Sequence, residues 1–251
     1  MKSQQSESSQ PVVEALHVSI IIPAYREAGN LRPLIGRIAK TMGSVVYPYE
    51  IVVVDDDSRD GTRDVMAELG AEGMPVRLVT RPRRLGLGSA VISGFHLARG
   101  ELLVCMDADL SHPPEALTRL IAALNDPQVD FALASRYLPE STADKMWRRR
   151  HRIESRLAAL LCRPLTKVSD PMSGFFAVPL AVFERADALR PIGYKIALEL
   201  LVKCRCRCIR EIPFHFSTRT LGRSKRTIRQ RIDYIRHLVR LAIYRLGRVE
   251  G

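Results

Sequence analysis

The sequence predicts an α/β fold: a mostly parallel sheet with helices on its faces. Three observations carry that prediction. Short β-branched apolar runs alternate with stretches whose apolar residues recur at helical spacing. Each of the first four runs stops at polar or acidic residues on its carboxyl side. The 251 residues, 46% of them apolar, suit one large domain, or a domain with an appendage, and supply a real core.

The elements follow in order. "MKSQQSESSQ" is polar and serine-rich, so residues 1–16 are expected to form a disordered tail and not a signal peptide. "VSIIIPAY" is a buried strand that Pro23 ends. "EAGNLRPLIGRIAKTM" places Leu31, Leu34, Ile35 and Ile38 at helical spacing. "YEIVVVDDDSRDGT" is a second strand closing on Asp55, Asp56 and Asp57, and "TRDVMAEL" resumes a helix. "PVRLVTRP" is the third strand, and "GLGSAVISGFHLARG" is a glycine-opened helix. "ELLVCMDAD" is the fourth strand, followed by the helix "PPEALTRLIAALN" with prolines at its start. This alternation implies right-handed βαβ units, whose ligands sit at the carboxyl ends of the strands. Pro23 to Glu27, Asp55 to Asp57, Arg81 and Asp107 to Asp109 therefore converge on one cleft.

After about residue 140 the pattern changes. "WRRRHRIESRLAALL" predicts a basic helix, "SDPMSGFFAVPLAVF" a strand with turns, "KIALELLVKC" a helix and "CIREIPFHFSTR" a strand. The last helix puts Ile228, Ile232, Ile235, Val239, Ala242 and Leu246 on one face, with Arg229, Arg236 and Arg240 off it. The expected division is a domain over 17–225 and a basic amphipathic helix over 226–251.

A net charge of +12, from 39 Lys+Arg against 27 Asp+Glu, predicts an anionic partner. The basic residues cluster in the C-terminal half, which argues against nucleic acid. The first strand lacks a G-x-G-x-x-G turn, which argues against a dinucleotide oxidoreductase. No apolar run approaches the ~20 residues of a membrane span. Five cysteines and no leader point to a reducing compartment. In "KCRCRC", Cys204, Cys206 and Cys208 lack the pairing of a zinc site and read as small residues along one strand face.

Asp107 and Asp109 carry the chemistry. On a strand end they point to the same side, with Cα atoms roughly 6–7 Å apart. Two carboxylates that close repel unless a proton or a cation lies between them. Oxygen ligands favour Mg²⁺ or Mn²⁺, which bind through one or two carboxylates plus substrate phosphates. The other reading of this D-x-D is a solvated turn. Asp55 reads as an orienter of its strand-to-helix turn, and His112, ahead of two prolines, as a turn residue.

The chain resembles the nucleotide-sugar-dependent glycosyltransferases of family 2, with the GT-A fold, and within them the dolichol-phosphate mannosyltransferase or polyprenyl-phosphate sugar synthase branch. The residues behind the resemblance are "IIPAYREAGNL", "IVVVDDDSRDGT", "RLGLGSAVISGF", "MDADLSHPPE", "ASRY", "SDPMSGFFAV", "GYKIALELLVK" and "EIPFHFSTRTLGRSK", in family order. The resemblance implies an inverting enzyme that moves mannose from GDP-mannose to dolichyl or undecaprenyl phosphate. The alternatives are UDP-glucose as donor, or a family 2 transferase acting on a glycan or glycolipid hydroxyl. It assigns Pro23, Ala24, Tyr25, Glu27, Asp56, Asp57, Arg81 and Gly88 to the donor. Asp107 and Asp109, with Ala108 between them, hold Mg²⁺ or Mn²⁺ on the donor diphosphate. Where relatives often have Gln, Ser111 stands, which leaves a third metal ligand open.

A phosphate acceptor with a second pKa near ~6 needs no general base, but its charge must be offset as it nears the donor. The resemblance gives that task to Arg136 and Arg219, together with Arg150 or Arg152, Ser173, Ser224 and Lys225. The resemblance puts Asp170, Ser173 and Gly174 in a sugar- or acceptor-side loop; the 148–152 run also reads as a solvated helix start, Gly174 as a turn, and Glu199 as either a sugar-hydroxyl ligand or a helix surface charge. A family motif end of G-E-S-K is Gly222-Arg223-Ser224-Lys225 here. The lipid acceptor implies a cytoplasmic protein held peripherally at the inner face of a membrane. The last helix either meets the bilayer or packs on the protein's own core, and a separate membrane subunit is a further route to the lipid.

Overall fold

A computed structural model describes residues 17–45, 47–143, 160–192, 195–217 and 228–247. The expected tail over 1–16 lies outside them. So does most of the predicted basic helix, of which residues 160–162 are helical.

The first half alternates as expected: β1 (Val18–Ala24), α1 (Ala28–Met42), β2 (Tyr49–Asp55), α2 (Thr62–Ala71), β3 (Val76–Thr80), α3 (Leu87–Leu97) and β4 (Leu102–Cys105). A 3₁₀ turn at Pro114–Ala116 leads into α4 (Leu117–Ala123). Beyond it come β5 (Phe131–Ser135), β6 (Thr142–Ala143), β7 (Phe176–Pro179), α5 (Leu180–Phe183), α6 (Ile196–Lys203), β8 (Ile209–Pro213), β9 (His215–Phe216) and α7 (Ile228–Leu246). Seven strands form one sheet in the order β3-β2-β1-β4-β7-β5-β8, and β6 pairs with β9 beside it. All neighbours in the large sheet are parallel except β7, which runs antiparallel to both β4 and β5.

The period of two along β1 divides the core. Ile20 and Ile22 face one apolar layer with Leu31, Leu34, Ile35 and Ile38 of α1 and Leu117 and Leu120 of α4. Ile21 faces the other, with Val91 and Phe95 of α3 and Leu200 of α6. α3 approaches β1 closely because Gly94 lacks a side chain: a Cβ there would lie 2.5 Å from Ile21 Cγ2.

Two expectations fail locally. Pro23 does not end β1. It sits opposite Val54 within the ladder, and Ala24 opposite Asp55 closes the strand. The cysteines Cys204, Cys206 and Cys208 do not share a strand face. They fall in the turn between α6 and β8, where Arg205 adopts a left-handed φ of 56° and Asp130 accepts the N–H groups of Arg207 and Cys208 at 2.8 and 3.1 Å. The alternation in "KCRCRC" is therefore a turn sequence, and its three thiols are free.

Candidate functional site

The strand order places the site. The chain builds β1, β2 and β3 outward, then crosses back to lay β4 on the other side of β1. Loops leaving β1 and β4 diverge at that reversal and open a crevice at the carboxyl edge. Strained backbone concentrates there: Arg26, Asp57, Arg59 and Leu110 all have φ between 50° and 62°.

The acidic loop differs from its sequence expectation in one respect. β4 stops at Cys105, so Asp107 and Asp109 leave the strand before they are reached, and the alternation of a strand does not orient them. Neighbours do. Asp109 is buried, and its Oδ1 accepts the Ser111 N–H at 3.1 Å and the Ser111 hydroxyl at 2.5 Å. Ser111 thus spends its hydroxyl on Asp109. Asp107 is one-quarter exposed (24%), and its backbone N–H donates to His112 Nδ1 at 3.1 Å. That bond requires an unprotonated Nδ1, so the neutral ring carries its proton on Nε2, 3.8 Å from Asp107 Oδ2.

His112 is more than a turn residue. It is buried, stacked on Phe175 with ring centres 5.1 Å apart, and edged by Phe214 and Phe216. Burial lowers its pKa, against the pull of Asp107 and Asp109. Nor is Gly174 merely a turn: a Cβ there would sit 3.2 and 3.3 Å from the two Asp107 carboxylate oxygens. Sequence reasoning read His112 as a turn residue and left Gly174 between an acceptor-side loop and a turn, although His112 stands three residues beyond the second aspartate. Among the described residues no set of three or more His, Cys, Asp or Glu side chains forms a metal cluster. Two oxygen donors, one partly open to the crevice, suit a hard divalent ion that completes its shell with phosphate oxygens.

The other wall comes from β1, β2 and β3. Asp55 orients the turn as expected, accepting the N–H of Ser58 at 3.0 Å and its hydroxyl. Asp56 is buried. Its Oδ1 accepts from Arg81 Nε at 2.6 Å and Nη2, and its Oδ2 accepts the N–H groups of Leu85 and Gly86 at 3.0 Å each. Arg81 also donates to Ser89 Oγ and the Gly86 carbonyl. Asp56 and Arg81 together therefore pin the 81–86 loop and the start of α3, where Gly88 is buried. Tyr25 lies under the Arg84 guanidinium, 4.4 Å from the ring centre. Glu27 accepts from Asn30 Nδ2, Asp57 pairs with Arg59 at 3.0 Å, and Pro23, Ala24 and Ala108 are buried.

Arg136 follows β5. It makes a two-point pair with Asp170: Nε to Oδ2 and Nη2 to Oδ1, both 2.7 Å. The Arg136 N–H also donates to Asp170 Oδ2. Asp170 is fully buried, and Arg136 lies over the Phe216 ring. Burial by itself lowers the guanidinium pKa, but the Asp170 charge and hydrogen bonds more than offset it and push it up. Ser173, in the same loop, donates its N–H to the Asp170 carbonyl. The Ser217 N–H donates to the Ser111 carbonyl, which brings the chain two residues before Arg219 against the acidic loop. Arg150, Arg152, Arg219, Ser224 and Lys225 lie outside the described residues.

Glu199 is no surface charge. It is fully buried, pairs with Lys203 Nζ at 2.8 Å, accepts the Arg190 N–H at 2.8 Å, and lies 3.5 Å from Arg240 Nη2. It ties α6 to α7, away from the acidic loop's own partners.

Known proteins resemble this arrangement at two levels. The dolichol-phosphate mannosyltransferase of Mycosarcoma maydis is 43% identical over 256 residues, which is 99% of this chain and 87% of that protein. Among solved structures, the mannosyl-3-phosphoglycerate synthase of Rubrobacter xylanophilus superposes with a TM-score of 0.70 at 21% identity, covering 93% of this chain and 76% of its own. A glucosyl-3-phosphoglycerate synthase of Mycobacterium tuberculosis, solved with Mn²⁺, UDP and glucosyl-3-phosphoglycerate, gives 0.64 at 20% identity, covering 92% and 80%. These two likenesses show a shared fold, the GT-A type that the sequence led one to expect. The profile described as "Glycosyl transferase family 2" matches residues 19–187, from β1 through the acidic loop and Asp170 to beyond β7. With its crevice, its acidic loop and its two-thirds match to that profile, the chain belongs to glycosyl transferase family 2.

Proposed function

We propose that the chain transfers mannose from GDP-mannose to dolichyl or undecaprenyl phosphate, with inversion at the sugar carbon. The observation that carries this reading is identity of 43% across 99% of the chain to a protein named dolichol-phosphate mannosyltransferase. An acceptor phosphate oxygen forms a bond to mannose C1 as the bond from C1 to the GDP oxygen breaks. The electron pair leaves with GDP, and the products are polyprenyl-phosphate mannose and GDP. A phosphate with a second pKa near ~6 is already dianionic at neutral pH, so no base has to remove a proton.

In this reading Pro23, Ala24, Tyr25, Glu27, Asp56, Asp57, Arg81 and Gly88 shape the donor wall. Asp107 and Asp109, flanking Ala108, hold Mg²⁺ or Mn²⁺ against the diphosphate, and the ion when bound neutralises charge on the departing GDP. The Mn²⁺ in the M. tuberculosis neighbour supports a divalent ion. Arg136, fixed by Asp170, is a preset cation for the acceptor phosphate, which arginine binds in a two-point fork. Arg219, with Arg150 or Arg152, Ser173, Ser224 and Lys225, completes the phosphate side, within a domain over 17–225. The lipid acceptor makes this a peripheral protein at the cytoplasmic face of a membrane, alone or with a separate membrane subunit. Among the described residues no helix is long and apolar enough to cross a bilayer.

The deciding experiment offers radiolabelled GDP-mannose and UDP-glucose in parallel, each with dolichyl and undecaprenyl phosphate, and separates the lipid products. A mannolipid from GDP-mannose alone is expected. Label in a glucolipid, or in no lipid fraction, would overturn the reading.

A further inference from the structure

The Arg136–Asp170 pair is held from outside as well as by its own bonds. Its members lie 34 residues apart, Arg136 just after β5 and Asp170 in the loop before β7. The residue preceding each of them carries a hydroxyl: Ser135 closes β5, and Ser169 leads into Asp170. The two hydroxyls meet at 2.6 Å. Ser135 is fully buried, so its hydroxyl has to find a partner inside the protein.

Glu211 stands behind Ser169. The parallel ladder sets Glu211 of β8 opposite Leu133 of β5, two residues before Ser135. The period of two puts Leu133 and Ser135 on one face, and Glu211 shares it. The Glu211 carboxylate accepts the Ser169 N–H, 3.0 Å from each oxygen, and its Oε1 also accepts the Ser169 hydroxyl. Ser169 thereby gives its one hydroxyl proton to Glu211, so Ser135 is the donor in the contact between the serines. The bonds run one way, from Ser135 to Ser169 to Glu211. The Ser135 carbonyl in turn accepts the Ser141 hydroxyl at 2.6 Å, which ties down the chain that follows Arg136.

Direction follows from this arrangement. Asp170 takes the Nε edge of the guanidinium, so the position of Asp170 decides where the rest of that group points. Glu211 grips both the N–H and the side chain of Ser169, which fixes the backbone leading into Asp170. Ser135, bonded to Ser169, fixes the backbone leading into Arg136. Bonds to a carboxylate are the strong kind for such a hold. Among the described residues the Glu211 carboxylate bonds only Ser169, and neither the acidic loop nor the Asp56 wall shares it.

We propose that Glu211 is a positioning residue for the acceptor phosphate. Acting through Ser169 and Ser135, it sets the direction of the Arg136 guanidinium and so the affinity for a phosphate monoester, without touching the donor. The inference rests on the reading of Arg136 as a cation for that phosphate. A misplacement of about 1 Å in such a group can cost on the order of a hundredfold. A bond that merely tied the 169–170 loop to β8 would cost stability and leave phosphate affinity unchanged.

Calorimetry on the full chain tests this with two probes: farnesyl phosphate, a short isoprenyl monophosphate, and GDP with Mn²⁺. Glu211→Ala should weaken farnesyl phosphate about tenfold or more and leave GDP affinity as in the parent. Glu211→Gln, whose amide oxygen still accepts one Ser169 bond, should recover part of the loss. In an Arg136→Ala background, Glu211→Ala should add nothing, because its effect passes through Arg136. Ser169→Ala keeps the backbone bond to Glu211 and should give a smaller loss with the same split between probes, which serves if Glu211→Ala does not fold. Unchanged phosphate affinity in the variants, an equal loss for GDP, an additive loss on top of Arg136→Ala, or no phosphate binding by the intact chain would each overturn the proposal. Phosphate binding that depends on Glu211 through Arg136, in a chain that transfers no mannose, would support the positioning role and count against the enzymatic reading alone.

Discussion

At Asp107 two of the supporting neighbours carry no charge. The His112 ring takes the Asp107 N–H, and the bare backbone of Gly174 leaves room for the carboxylate. A Cβ on Gly174 would stand 3.2 and 3.3 Å from the two oxygens, closer than ordinary contact, so the carboxylate itself must shift. Gly174→Ala should therefore displace Asp107 while leaving the sheet intact. The Mn²⁺ concentration for half-maximal binding, read by electron paramagnetic resonance on the free protein, should rise about tenfold, equivalent to about 1.4 kcal/mol. Unchanged Mn²⁺ binding would remove Asp107 from the ion's shell. Arg136 shows the same logic with opposite chemistry. Its side chain is held at two points by a fully buried carboxylate, so its direction is fixed before any phosphate arrives.

Among the elements, α3 shows how tightly the scaffold is drawn. Its first turn is pinned by Asp56 and Arg81 through the 81–86 loop, and its last turn rests on β1 through Gly94. Gly94→Ala gains helix propensity but drives a methyl group to within 2.5 Å of Ile21 Cγ2 and 3.1 Å of Val54 Cγ2. Overpacking should win, lowering stability by about 1–3 kcal/mol. The midpoint of urea unfolding should fall with its slope unchanged, and a midpoint at or above the parent's would deny the close approach. The helix and strand order of the first half was legible because each apolar run was long, periodic and stopped by acids or glycine. The cysteine turn was not: "KCRCRC" has strand-like alternation, and only the Asp130 carboxylate bonding two N–H groups and the left-handed Arg205 make it a turn.

For the whole molecule, the question is how α7 joins the sheet domain. Buried His237 faces Glu199 from α6, Lys195 and Lys203 beside it, and Arg240 one turn along α7. Burial pushes its pKa down to about 4; Glu199 pulls it up, and Arg240, Lys195 and Lys203 push it further down. A histidine whose folded pKa lies below its unfolded value of about 6.5 binds fewer protons when folded. Its contribution is therefore intact above about pH 6.5 and is lost as the pH falls toward 4. Between pH 7.5 and 5.0 the intact protein should lose about 1–2 kcal/mol more stability than His237→Leu, which cannot take up that proton. Equal acid sensitivity of the two in urea titrations would show that His237 is not held neutral in the interface.

The sequence by itself determined the layered α/β fold, the four acid- or arginine-terminated strand ends, and the crevice where they meet. Hydrophobic period and chain-stopping residues are local properties, and the right-handed crossover leaves few ways to assemble them. The outer stripe of α7 was legible in the helical spacing, but its packing face of Tyr234, Leu238 and Leu241 was not. Tertiary structure alone decided the rest. It made His112 and Gly174 supports of Asp107, joined Asp56 to Arg81 across 25 residues and Arg136 to Asp170 across 34, and buried Glu199 between α6 and α7. Each of these depends on what a side chain meets from a distant part of the chain. Neither the period of a strand nor the spacing of a motif encodes that meeting, because it is set by how closely packed layers bring loop ends together.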